Sequence, residues 1–206
     1  MRTKRNSLPV TRTRKSNYQT NVGTQRRRQI IQAAKTLCEV KAVEEINLKA
    51  IASEAGIPLT SIYNLFTNLD AVHAEIVNDL WAELLDYRKN HLKPTYSDFC
   101  DMVKHSTKIN IEFIRQNTLI KKIMYSEYIL PAIKSADTDL LDKNIQEFVS
   151  TQFPHTKKDE LDVLFEKFRK GIICFDALVS DCISRNGNIS QKDEGEIIEI
   201  IVKLSK

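Results

Sequence analysis

The sequence predicts an all-α fold, and three observations carry that prediction. Gly and Pro number only five each in 206 residues, too few for a turn-rich β architecture. Apolar residues recur at three- and four-residue spacing in one segment after another, and no period-2 alternation is long enough to force a strand. Pro94, Pro131, Pro154 and the run Asn186-Gly187-Asn188 fall between those segments, where helix breakers belong. The length suits a small module of about 50 residues joined to one of more than 100.

Each element has its own signal. Residues 1–23 mix Thr, Asn, Ser, Gln and basic residues around Pro9 and Gly23 without an apolar period, and read as a basic, flexible arm. From Gln25 the pattern changes: Ile30, Ala33, Ala34, Leu37 and Cys38 form an apolar stripe, so a first helix is expected from about 25 to 40. Asn47 is suited to cap a second helix, whose stripe is Leu48, Ile51, Ala52 and Ala55. Gly56 can take the left-handed conformation that ends it. Pro58, with its fixed φ and missing N–H, fits the first turn of a third helix reaching about Leu65. Longer helices are expected at about 70–90, 97–115, 118–129, 137–152, 157–185 and 190–206.

The net charge of +4 conceals an asymmetry. Residues 1–28 hold nine Lys or Arg and no acid, leaving 22 basic against 27 acidic residues elsewhere. A basic arm on a mildly acidic body points to a polyanionic partner, phosphates being the usual one, or to a solubilising tail. Cys38, Cys100, Cys174 and Cys182 are widely spaced and contain no C-x-x-C pair, so neither a disulfide framework nor a cysteine-rich zinc site is expected. With no apolar run approaching a membrane span and no signal-peptide core after the basic start, the expected location is the cytoplasm, without a membrane partner.

Two short helices separated by a Gly-centred turn are the geometry of a helix-turn-helix, which presents its second helix to the major groove of DNA. Ala52 and Ala55 supply small residues at the crossing, and Ile46, Leu48, Ile51, Ile57, Ile62 and Phe66 supply apolar filling. The same spacing also occurs in helical hairpins of enzymes and bundles. The residues themselves are more specific. The run from Asn47 to Phe66, with I-A-x-x-A-G-I at 51–57 and I-Y-x-x-F at 62–66, closely resembles the DNA-binding domain of the TetR family of bacterial transcriptional regulators. The resemblance covers about a quarter of the chain.

It implies three parts: the arm at 1–23, a helix-turn-helix domain at 24–69 and an effector-binding and dimerisation domain at 70–206. It further implies that the helix from Pro58 to Leu65 enters the major groove of double-stranded DNA, with Tyr63 on a phosphate and Thr60, Ser61 and Asn64 against base edges or nearby backbone. Arg26, Arg27 and Arg28 of the first helix, with Asn47 and Lys49 of the second, are the further candidate DNA contacts. The sequence departs from the family's commonest pattern at Pro58, at Leu59, which could meet a thymine methyl or simply pack on the turn, and at Leu69, where a phosphate-contacting Lys is usual.

The expected function is a repressor that binds a pseudo-palindromic operator as a homodimer and is released by a small effector. The stripe Leu161, Leu164, Phe165, Phe168, Ile172, Phe175, Val179, Cys182, Ile183 and the run Ile197, Ile198, Ile200, Ile201, Leu204 are assigned to the dimer interface, or else to burial within the chain. Phe99, Met102, Phe113, Met124, Tyr125, Tyr128 and Phe175 are the candidate effector lining. Two rivals remain at this point: a body that docks another protein, and a helical metal-dependent enzyme built on Asp101 and His105 with His91 and Asp98. No catalytic residue, cofactor or metal is assigned, since H-E-x-x-H, G-x-S-x-G and Gly-rich phosphate loops are all missing from the sequence.

Overall fold

The computed structural model describes residues 13–125 and 138–206, and among them every regular element is helical. Their order is α1 (Thr13–Val40), a 3-10 turn (Val43–Glu45), α2 (Leu48–Glu54), α3 (Leu59–Tyr63), α4 (Leu69–His91), α5 (Phe99–Gln116), α6 (Thr118–Met124), α7 (Thr138–Gln152), α8 (Lys158–Asn186) and α9 (Gln191–Ser205). The all-α expectation holds. Residues 1–12 of the arm and Tyr128 lie outside the described residues.

Three helices differ from expectation in their bounds, α6 ending at Met124 where the sequence predicts about 129. The first helix begins at Thr13 instead of near Gln25, so the second half of the predicted arm has helical backbone. Extending a helix already anchored by a packed segment costs far less than nucleating one, and no Pro follows Pro9 in that stretch. The third helix is shorter than expected, with Pro58 as its N-cap and Asn64 as its C-cap.

Capping explains where the helices start. Asn47, Asn68, Asp98, Asn117 and Ser190 each accept a backbone N–H from the first turn of the helix that follows, and Ser190 completes a reciprocal box with Asp193. Each such cap stabilises its helix end by about 1 kcal/mol. At the other end of α8, Gly187 takes φ +67° and its N–H donates to the Ile183 carbonyl.

A single buried cluster runs from α1 (Ile30, Ala34, Leu37, Cys38) through Ile51, Ile62 and Phe66 into α4 and on to α5, α8 and α9. The first three helices share this cluster with the rest of the chain. α4 packs against α1 and also against α5 and α6. Lys35 on α1 spans to Asp79 (3.1 Å) and Glu83 (3.0 Å) on α4. Burial opposes its charge, but the two carboxylates together outweigh burial and hold the ammonium above its usual pKa. Deeper in the body, Arg115 at the end of α5 donates to the carbonyls of Ile189 and Ser190 and pairs with Glu194 at 2.8 Å, which fixes α9 against α5.

The α8 stripe assigned to dimerisation is consumed in part inside the subunit, while Leu161, Leu164, Phe165, Ile172 and Ile183 stay half-buried. Phe168, Phe175, Val179 and Cys182 are buried, as are Ile197 and Ile201 of α9. What stays uncovered on these two helices is Val163 and Ile173 (55% and 58% exposed) and Ile200 and Leu204 (40% and 45% exposed).

Candidate nucleic-acid interface

The corner between α2 and α3 is built by local chemistry. The Asn47 Oδ1 accepts the Ala50 N–H at 3.0 Å and starts α2. At its end the Gly56 N–H donates to Ser53 (3.2 Å) and the Ile57 N–H to Ala52 (3.1 Å), the paired bonds of a Schellman turn. That turn requires positive φ, and Gly56 has φ +63°. Pro58 then starts α3.

Along α3 and the turn that follows it, the burial pattern separates anchor from display. Ile62 is fully buried and Phe66 nearly so, each fixing the segment by roughly 2 kcal/mol of apolar burial. Thr60, Tyr63 and Asn64 are exposed and Ser61 half-buried; Tyr63, at 58% exposure, is one of the large side chains the fold leaves in solvent. Leu59 is partly buried against the core. Around this face Arg26, Arg28 and Lys49 are exposed, as is Asn47, whose side-chain oxygen is engaged in its cap.

Arg27 is engaged differently from its two neighbours. Its Nε donates to Glu75 Oε1 at 2.6 Å and its Nη1 to the Leu65 carbonyl at 3.2 Å. The guanidinium also lies 4.5 Å from the Phe66 ring centroid. These contacts turn it inward, tying α1 to the end of α3 and to α4, because residue 27 stands three and four positions before the buried Ile30 and Ile31 and so shares their face. Arg26 and Arg28 flank that face and point away from it.

In the body, Phe99, Met102 and Phe113 are buried on α5, Phe175 is buried on α8, and Met124 and Tyr125 are partly buried at the end of α6. The Phe99 ring meets Phe153 (6.2 Å) and Phe168 (6.4 Å), and Phe168 meets Phe148 at 5.7 Å. The Arg88 guanidinium lies 5.0 Å over the Phe148 ring. Phe113 packs on Tyr87 at 5.0 Å. The sequence reading passed over four polar residues in this region: Arg88, Ser106, Asn110 and Gln152. Ser106 Oγ, Asn110 Oδ1 and Gln152 Oε1 are buried without a hydrogen-bond partner among the described residues. Their signal was a polar side chain interrupting an apolar helix face. Across α6 and α8, burial raises the Tyr125 phenol and the Asp176 carboxylate raises it further, while desolvation lifts Asp176 itself to about 6.

The residues of the metal-enzyme rival are engaged elsewhere. Asp101 pairs with Lys93 at 3.4 Å, His105 Nδ1 is 2.8 Å from the Tyr96 hydroxyl, and the His91 ring stacks on Tyr87 and lies 2.7 Å from its carbonyl. Among the described residues no group of three or more His, Cys, Asp or Glu converges as a metal site would, and no helix is long and apolar enough to cross a membrane.

No family model and no curated protein matches the sequence. Solved structures do match the fold. A TetR-family transcriptional regulator from Streptomyces coelicolor aligns with TM-score 0.64 at 16% identity over 87% of this chain and 96% of its own. The multidrug binding protein EbrR, complexed with imidazole, aligns with TM-score 0.63 at 17% identity over 87% and 94%. A transcriptional regulator from Rhodococcus sp. Rha1 aligns with TM-score 0.63 at 12% identity over 86% and 94%. With a helix-turn-helix corner whose second helix is pinned from within and displayed outward, and with that similarity extending over nearly the whole body, the chain has the fold of TetR-family transcriptional regulators.

Proposed function

We propose that this protein is a dimeric transcriptional regulator of the TetR type, a repressor that binds a pseudo-palindromic operator and is released by a small ligand held in its helical body. One observation carries the reading: α3 and the turn after it hold Ile62 and Phe66 in the core while offering Thr60, Tyr63 and Asn64 to solvent. An α-helix fits the major groove, short hydroxyls and amides suit base edges or phosphates, and a Tyr hydroxyl suits a phosphate. Arg26, Arg28 and Lys49 are the backbone-neutralising partners of that helix, and Arg27 is the strut that sets its angle.

Two copies are needed, because one short helix reads too few base pairs to select a site. Ile173 on α8 and Ile200 and Leu204 on α9, left exposed by the subunit, are the apolar surface on which a symmetry mate would pack. The aromatic body, in a chain similar in fold to a protein described as multidrug binding, is where an effector would sit.

The test is selection of bound genomic fragments by the purified full-length chain, followed by footprinting. The expected footprint is a pair of half-sites on one face of the duplex, about 34–36 Å apart centre to centre. Failure to retard any double-stranded fragment in low-salt buffer defeats the reading. An Ile173→Glu variant that remains dimeric by light scattering defeats the assignment of the interface.

A further inference from the structure

We propose that the body site between α4, α5 and α7 selects a small organic acid, one with an apolar middle and a hydroxyl or N–H donor, whose carboxylate pairs with Arg88. The inference rests on the regulator reading above and names the chemical class of its ligand.

The contacts form two chains that start from neighbouring residues of α4. Arg88 on α4 lies over Phe148 on α7; Phe148 touches Phe168, Phe168 touches Phe99, and Phe99 shares a face of α5 with Phe113, which packs on Tyr87 beside Arg88. At 3.6 residues per turn, Phe99, Ser106, Asn110 and Phe113 fall within about 60° of one another. Gln152 follows Phe148 by four residues and so stands on the same face of α7. The polar groups of α5 and α7 therefore share helix faces with these aromatics, and Arg88 of α4 lies over one of them.

Those polar groups lack what they need. Arg88 makes no hydrogen bond and meets no carboxylate among the described residues. It keeps a window of accessible surface, yet desolvation pulls its guanidinium down to about 10. The buried oxygens of Ser106, Asn110 and Gln152 are likewise unpaired, although the adjacent Thr107 finds the Val103 carbonyl at 2.8 Å. Buried polar groups without partners are costly and rare. A carboxylate supplies what Arg88 lacks, in bidentate form, and a hydroxyl or N–H on the same molecule supplies a donor to the orphan oxygens. The apolar middle lies against the rings.

The experiment is isothermal titration of the full-length protein with 4-hydroxybenzoate and with 3-(4-hydroxyphenyl)propanoate, two acids of different reach, each beside its neutral amide. We expect at least one acid to bind about 10- to 100-fold more tightly than its amide, the span of a charge-assisted hydrogen bond. Arg88→Met keeps the packing on Phe148 and should erase that preference. Arg88 has no anionic partner among the described residues, so Arg88→Met should lower the thermal midpoint by no more than the loss of one cation–π contact, at most about 4 °C; a larger drop marks Arg88 as a structural residue and overturns the proposal. Equal binding of acid and amide, binding of neither acid at millimolar concentration, or an intact preference in Arg88→Met also overturns it. Retardation of DNA by the same wild-type preparation separates the outcomes: loss of acid preference in protein that binds DNA refutes this inference alone, whereas absence of DNA binding refutes the regulator reading beneath it.

Discussion

Replacing Arg27 by Met distinguishes a strut from a phosphate contact. Met keeps an apolar stem of similar length on Phe66 and removes three things. The Glu75 pair, with side chains 43% and 30% exposed, is screened and contributes about 0.5 kcal/mol. The hydrogen bond to the Leu65 carbonyl contributes about 1 kcal/mol net. The cation–π contact with Phe66 contributes about 0.5–1 kcal/mol. The expected loss is about 2 kcal/mol, or roughly 4–8 °C in Tm for a chain of this size. Operator affinity should fall as well, because the end of α3 loses its tie to α1 and α4. Its salt dependence should not change: each phosphate neutralised adds about 0.9 to the slope of log K against log salt, and a residue that meets no phosphate adds nothing. Arg26→Met in both subunits should instead lower the slope by about 1.8 with little change in Tm. Fluorescence anisotropy on operator DNA from low to moderate salt, beside thermal melts, measures both quantities. If Arg27→Met lowers the slope as Arg26→Met does and leaves Tm untouched, the inward assignment of Arg27 is wrong.

The remaining expectations concern backbone and pH. An added Cβ at Gly56 meets no atom within 4 Å, so Gly56→Ala should cost only the left-handed backbone term, about 1–2 kcal/mol, and Gly56→Asn less; urea unfolding that ranks Asn below Ala would contradict the turn. His73 is buried with both ring nitrogens unpaired among the described residues, and burial lowers its pKa below 6.5 despite the pull of Asp70. The unfolded chain then binds the proton more readily, so this contribution to stability is complete above about pH 6.5 and is lost as pH falls below it. We expect His73→Leu to be near neutral at pH 7.5 and more stable than the parent at pH 5.5, the difference being read from urea unfolding at the two pH values. Asp176, raised to about 6 by desolvation, acts with the opposite sign, since its ionised form is the disfavoured one and stability recovers as pH falls through 6. Comparing variant with parent at each pH cancels that term, and a His73→Leu variant whose advantage does not grow on acidification would exclude the buried neutral ring.

The head was readable because its structure is set by neighbours in sequence. A cap at Asn47, a positive-φ position at Gly56 and a φ-locked Pro58 act over three or four residues, and sequence spacing shows such effects directly. Arg27 was also readable, through its offset from Ile30 and Ile31, but a run of three arginines invites one role for all of them. The fate of the α8 stripe was not. Periodicity says that Phe168, Phe175 and Val179 must be covered, and it is silent on whether α5 and α9 of the same subunit or a second copy covers them. Ser106 and Asn110 pose the same problem: a polar side chain on an apolar face of α5 signals an exception, and only the arrangement of α4, α7 and α8 shows that several exceptions meet.

That arrangement also bears on how a ligand would be felt at the DNA. Lys122 on α6 donates to the carbonyls of Cys38 (3.1 Å) and Glu39 (2.7 Å), the unsatisfied end of α1, where a cation is favoured by the helix dipole. Lys35 ties α1 to Asp79 and Glu83 of α4, the helix that carries Arg88 about one and a half to two and a half turns further on. The helix bearing Arg27 is thus held from the body at two points, by α6 at its end and by α4 along its side. A ligand drawn to Arg88 acts on the second of these attachments, and displacement of α6 acts on the first. Neither can shift the heads by more free energy than the ligand's own preference for one arrangement over the other. A carboxylate that merely fills its site equally well in both arrangements would bind tightly and release nothing, so induction requires that Arg88 reach the ligand better in the arrangement that no longer fits DNA.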